Sequence, residues 1–176
     1  MARYEPFGPF EIPRRNGIVD TTQIKKGCDF WEKIETDQKG LSTAHGCYIF
    51  SIRAGRGIRP WYVGQAKGKN GFLQEILSDN KLKHYNDVIA AQNGTPILQL
   101  LARVTESGKL SKSRDQREID YMETILIGMA YYENTDLKNT KVAKSAGKLI
   151  IPGITGGEGK GRPSEAIQAL KTTFGH

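Results

Sequence analysis

Glu123 lies within RDQREIDYMETILIGMAYYE, residues 114–133, a run with helical periodicity. Ile119 precedes it by four positions, and Leu126 and Ile127 follow it by three and four. On a helix this spacing sets the carboxylate on the apolar stripe that should face a core. A carboxylate buried without a partner is costly. Two uses are open: a Glu at the stripe's edge that reaches solvent or pairs with a lysine, or a metal ligand or acid/base group at the foot of a cleft. Tyr48, in CYIFSIR, and Tyr62, in WYVGQA, sit on two β-type runs joined by the basic turn AGRGIRP. A hairpin through that turn puts them on neighbouring strands with their hydroxyls at one end of the sheet surface. Strand tyrosines also serve simply to pack.

The following loop, GQAKGKNG, offers backbone amides with Lys67 and Lys69, a composition that can hold an anion. Its spacing is not that of a Walker loop: only three residues separate Gly64 from Gly68, and Asn70 stands where a magnesium-binding Ser or Thr belongs. GITGGEGKGR near the C-terminal end departs from that pattern too, and G-x-S-x-G is absent. Cys28, Cys47, His45, His84 and His176 form no paired-ligand spacing, which argues against a structural zinc site.

The elements that must position these residues follow from local pattern. CYIFSIR alternates, with Tyr48, Phe50 and Ile52 on one face and Cys47, Ile49 and Ser51 on the other, and with WYVGQA it predicts an antiparallel hairpin. Residues 71–94 show two helical stretches broken at SDNK. ILQLLARV predicts a third strand, and residues 114–133 the helix that carries Glu123. Residues 1–45 read as an N-terminal arm with a short strand at most, in which FWEKI forms one helical turn on the core. The core spans 46–141; a basic, glycine-bearing connector and a last helix capped by Ser164 occupy 142–176. The expectation is one α+β domain around a three-stranded, mainly antiparallel sheet flanked by helices.

With 176 residues, 38% apolar and 26% charged, the chain has the composition of a single globular domain, and no apolar run approaches the length of a membrane span. MARYEPFGPFEIPRR has no signal-peptide pattern, so a cytoplasmic location is expected. The net charge of +7 points to a polyanionic partner, and the surplus lies toward the C-terminal end.

The ordered set Gly46-Cys47-Tyr48, Tyr62-Val63-Gly64, Glu123 and Asn139, with Asn134 as the alternative asparagine, resembles the GIY-YIG nuclease family, over about residues 46–141. The resemblance implies a divalent-metal-dependent endonuclease that hydrolyses DNA phosphodiester bonds in restriction, repair or mobile-element biology, with RNA not excluded. Mg²⁺, or Mn²⁺, would be held by Glu123. Tyr48 would accept a proton from the attacking water or orient it, Tyr62 would position water or phosphate, and Gly64 would let backbone approach the scissile group. Asn139 would tie the active-site helix to its surroundings beside the substrate. The family's arginine after the second motif is missing, since no arginine occurs between Arg59 and Arg103. Lys67, Lys69, Lys81, Lys83 and His84 are the available substitutes, with Lys67 taken as the catalytic cation, and Arg53 is a further candidate phosphate contact. The alternative is a catalytically impaired nucleic-acid-binding module on the same fold.

Overall fold

The computed structural model describes residues 3–25, 27–139 and 164–174. Strand β1 (Arg3–Glu11) is followed by a small hairpin of β2 (Arg14–Arg15) and β3 (Ile18–Val19), then α1 (Asp29–Asp37) and a 3-10 turn at Leu41–Thr43. The long hairpin β4 (Gly46–Ala54) and β5 (Gly57–Ala66) leads into α2 (Gly71–Glu75) and α3 (Asp79–Ala91). Strand β6 (Thr95–Val104) and helix α4 (Gln116–Glu133) complete the core, and a separate helix α5 spans Glu165–Phe174.

The main sheet is α+β in setting and wholly antiparallel, with strand order β1-β6-β4-β5. It has four strands, not three. The added one is β1, nine residues of the expected arm, paired with β6 through contacts such as Phe7↔Leu100 and Arg3↔Val104. Pro6, Gly8 and Pro9 mask its strand character in the sequence, yet all are tolerable on an edge strand, and the register shifts between Phe7 and Phe10 where Gly8 and Pro9 lie. FWEKI likewise belongs to a longer helix than one turn, Asp29–Asp37, which buries Phe30, Trp31 and Ile34.

The alternation in β4 is realised. Tyr48, Phe50 and Ile52 join the larger core with Phe30, Ile34, Phe72, Tyr85 and Val88. The opposite face carries Val63 against Ile127, Ala130 and Leu137, so α4 covers this side of β5. The Cys47 thiol, also on this face, points at the carbonyl of Ile119 in α4. Phe50 and Tyr85 stack at 4.2 Å between ring centroids, an arrangement that adds ~0.5–1.5 kcal/mol beyond area burial.

Helix α4 begins at Asp115, whose side chain accepts from the backbone N–H of Arg117 and Glu118 at 3.1 and 3.2 Å. Such a cap is worth about 1 kcal/mol. Of the expected stripe, Ile119, Ile127 and Ala130 are buried, while Met122 and Leu126 are half-buried. The break between the two helices after β5 falls at Ile76–Ser78, ahead of most of SDNK, whose Asp79, Asn80 and Lys81 already belong to α3, and α5 follows Ser164 directly. The connector's lysines from 141 to 160 lie outside the described residues. Among the described residues no helix is long and apolar enough to cross a membrane.

Candidate active site at the edge of strand β5

Strand β5 is an edge of the sheet, with α3 on one face and α4 on the other. In the β4–β5 register Tyr48 lies opposite Gly64 and Phe50 opposite Tyr62, so the two tyrosines are diagonal neighbours on one face. Their rings lie 6.2 Å apart at 28°. Tyr62 also stacks on His84 at 5.8 Å and meets Tyr85 edge-on at 6.2 Å.

The structure separates the two tyrosines by environment. Tyr48 has no exposed surface. Its hydroxyl faces that of Tyr85, and neither completes a well-formed hydrogen bond. Burial, reinforced in both cases by Tyr62, holds both hydroxyls well above the ordinary tyrosine range, so both stay protonated at neutral pH. In this arrangement Tyr48 orients its neighbours and is in no position to take a proton from water. Gly64 serves Tyr48 too: a Cβ there would overlap Tyr48 Cζ and Oη. Its missing side chain accommodates a protein ring, whereas the sequence assigned it to close approach by substrate.

Tyr62 is buried as well, but its hydroxyl has a partner. The Lys81 ammonium donates to its hydroxyl and lies 4.6 Å from its ring centroid, a geometry that adds cation–π attraction. Lys81 comes from the first turn of α3; Tyr85, one turn later on the same face, holds the ring from below.

Glu123 reaches the same edge from the α4 side. Its Oε2 accepts from Gln65 Nε2 at 2.9 Å, and Oε1 has no hydrogen bond among the described residues. Burial pushes its carboxyl above the ordinary carboxylate range. Lys81 opposes that rise, Asp120 adds to it, and Lys67 opposes it in turn. Lys67 is ion-paired to Asp120 at 2.7 Å, one helical turn before Glu123. Thus β5 supplies Tyr62 and Gln65, α3 supplies Lys81 and α4 supplies Glu123.

The other expected residues separate into three groups. Lys69 and Lys83 are exposed on the loop and on α3, free to approach a ligand but fixed by no hydrogen bond or ion pair among the described residues. Arg53 sits at the far end of β4, paired with Glu11 of β1, five strand residues or about 17 Å from Tyr48. It is not brought to the site. Asn139 grips the edge strand: its Oδ1 accepts from Val63 N–H at 2.7 Å and its Nδ2 donates to Val63 C=O at 2.6 Å. Asn134 does the same upstream, donating to Pro60 C=O at 2.7 Å, and Lys138 N–H donates to Trp61 C=O at 2.9 Å. The segment after α4 is therefore a strap on β5, which satisfies edge groups that a lone strand would leave open.

Sequence reasoning missed Gln65, Asp120 and Tyr85. The available signals were period-2 placement of Gln65 beside Val63 and helical spacing of Asp120 to Glu123 and of Lys81 to Tyr85.

No family model, curated protein or solved structure matches the chain. The site's chemistry must come from its own atoms. Among the described residues no three His, Cys, Asp or Glu side chains cluster to enclose a metal ion. One carboxylate nonetheless fits Mg²⁺, which commonly takes one or two carboxylates, several waters and the substrate's phosphate oxygens. The uncommitted Oε1 of Glu123 is the atom available for that purpose. A cleft of about 560 Å³ lies elsewhere, lined by the β2–β3 hairpin, α1 and Thr95.

Proposed function

We propose that this protein is a divalent-metal-dependent endonuclease acting on DNA phosphodiester bonds, similar in its chemistry to the GIY-YIG family. The observation that carries the reading is the placement of Glu123 on Gln65 and of Lys81 on Tyr62, from the two faces of one edge strand. A bound Mg²⁺ or Mn²⁺ would withdraw electron density from the phosphate and stabilise the leaving oxygen. Glu123 would hold the ion, with Gln65 fixing the carboxylate's orientation. Lys81 supplies the fixed cation that the missing arginine would provide, poised by the Tyr62 hydroxyl to meet charge building on the phosphate. Tyr62 orients water or phosphate; Tyr48 and Tyr85 keep its ring in place. Lys67, already neutralised by Asp120, belongs to the surroundings of Glu123 more than to the phosphate.

A second reading, a nucleic-acid-binding module without cleavage, draws on the buried hydroxyl of Tyr48 and on the substitution of lysine for a planar, bidentate arginine. One assay separates the two: plasmid nicking and cutting of duplex, branched and single-stranded DNA in Mg²⁺ or Mn²⁺. Cutting by the wild type that Glu123→Ala abolishes, with its fold intact, supports the enzyme. Equal cutting by both at matched purity sinks it, and salt-sensitive binding with no cleavage in any metal favours the binder.

A further inference from the structure

Helix α4 has two apolar faces. One, with Ile119, Ile127 and Ala130, is buried. The other carries Tyr121, Ile125, Met129 and Tyr132, which are 71%, 45%, 63% and 63% exposed. At 3.6 residues per turn these four fall within an arc of about 80°, so they form one stripe along the outer side of the helix. Of the six large hydrophobic side chains exposed among the described residues, α4 carries four. Single exposed hydrophobics are ordinary, but a contiguous line of them marks an interaction surface. With roughly 150–250 Å² for each tyrosine and a little less for the other two, the stripe presents on the order of 500 Å², toward the upper end of what a monomer exposes.

Gly128 borders the stripe. Its backbone is helical, and a Cβ there would meet nothing within 4 Å, so neither an unusual φ nor packing among the described residues calls for glycine. Glycine inside a helix is destabilising relative to alanine; its use is to let another element come close. A second α4 laid antiparallel, about a two-fold axis midway between Leu126 and Ile127, sets Tyr121 level with Tyr132 of the other copy and Ile125 level with its Gly128. The isoleucine then falls where the missing side chain leaves room. Two such stripes bury about 1,000 Å² in total, beyond most crystal contacts and at the lower bound for a specific interface. The chain's own segments match the stripe less well. Tyr121 to Tyr132 spans about 16–17 Å, whereas Ile167, Leu170 and Phe174 of α5 follow one another over about 10–11 Å. Leu149, Ile150 and Ile151 of the connector are consecutive, a spacing that lines up along one face of neither a helix nor a strand.

We propose that the outer stripe of α4 is a self-association surface, on which a second copy of this chain docks through its own α4, antiparallel, with Ile125 seated over Gly128 of the other copy. An interface of this size binds weakly, so the chain exchanges between one and two copies at micromolar concentration. Glu123 projects from the other side of α4, toward Gln65 of β5, so pairing leaves that edge uncovered and does not depend on hydrolysis.

The test is sedimentation equilibrium of the full chain across about 1–200 µM, a range that brackets the affinity of so small an interface. The average mass should rise from one chain toward two. Ile125→Glu puts a charge at the centre of the interface and should weaken association by about 10-fold or more. Gly128→Leu, which fills the gap, should weaken it comparably while leaving the helix intact. Ile58→Glu, the same change at an isoleucine of like exposure on the β4–β5 turn, should leave association unchanged. Both isoleucines are exposed in the single chain, and melting curves check that every variant is folded. The register has its own readout in a Cys28→Ser background: on oxidation Tyr121→Cys/Tyr132→Cys should link two copies, because the paired positions are level across the axis. Either single substitution should not, because each residue lies about 16 Å from its own equivalent, too far for a disulfide. A wild type that stays monomeric throughout overturns the proposal and leaves the stripe to another occupant, α5 and the connector included. A dimer that Ile125→Glu and Gly128→Leu do not weaken, or that Ile58→Glu weakens equally, overturns it too, as does equal cross-linking by a single substitution.

Discussion

The Lys81 ammonium rests on the hydroxyl of Tyr62, and from there it also acts on the carboxyl of Glu123 across the edge of β5. A lysine at this position couples the two faces of the sheet. Its charge is anchored at its tip by the tyrosine and at its base by the first turn of α3, so little side-chain freedom remains to be lost when a phosphate arrives.

Lys81 should accordingly be the cation on which cutting depends. Lys81→Ala is expected to slow cleavage by about 10²–10³-fold, the loss typical when one preorganised donor to a developing oxyanion is removed. Lys81→Arg should retain most activity, since it restores charge and adds a fork. Lys67→Ala should have a much smaller effect, because that ammonium is already committed to Asp120. Single-turnover cleavage rates decide the matter: if Lys67→Ala is the crippled variant and Lys81→Ala is not, the assignment is reversed.

Glu123 makes a prediction about pH. Its folded carboxyl titrates above the ordinary carboxylate value because it is partly buried, with Asp120 adding to the shift. Between the ordinary and the raised value the folded chain binds more protons than the unfolded chain, so this group's contribution to stability falls as pH rises through that window. Glu123→Gln should thus melt at or above the wild-type temperature at neutral pH while failing to cut. In the wild type, cutting should decline as pH drops through the raised carboxyl value, and added Mg²⁺ should move the midpoint lower because ion and proton compete for one oxygen. A Glu123→Gln protein that melts well below wild type, or a midpoint indifferent to Mg²⁺, would contradict the site.

What could be read ahead of the structure tracks how local each feature is. The alternation of Tyr48, Phe50 and Ile52 and the stripe containing Ile119 and Ile127 are local, and both are realised. Strand β1 is not local: its partner β6 lies more than ninety positions downstream at Tyr4↔Arg103, and Pro6, Gly8 and Pro9 erase its pattern. The site shows the same division. Glu123 stands out on its helix, but choosing Lys81 over Lys67, Lys69, Lys83 or His84 requires knowing which helix face meets β5. Gln65 becomes relevant only once α4 is known to cover the Val63 side of that strand. Asn139 was legible as a tie, though what it ties, the two backbone groups of Val63, follows from β5 being an edge.

Tyr48 and Gly64 test whether the buried geometry is the working one. With its hydroxyl enclosed and protonated, Tyr48→Phe should leave cutting near the wild-type rate, whereas a catalytic hydroxyl would make the same change abolish it. Gly64→Ala places a methyl group where the Tyr48 ring already lies, and overpacking of this kind costs about 1–3 kcal/mol. In a Tyr48→Ala background the added methyl group has room, so its cost should vanish and the two substitutions should be strongly non-additive in urea unfolding. Additive losses would mean that the ring does not occupy the space above Gly64 in solution. Tyr48→Phe that folds normally yet cannot cut would mean that the hydroxyl swings out to meet substrate, and that Tyr85 faces it only between turnovers.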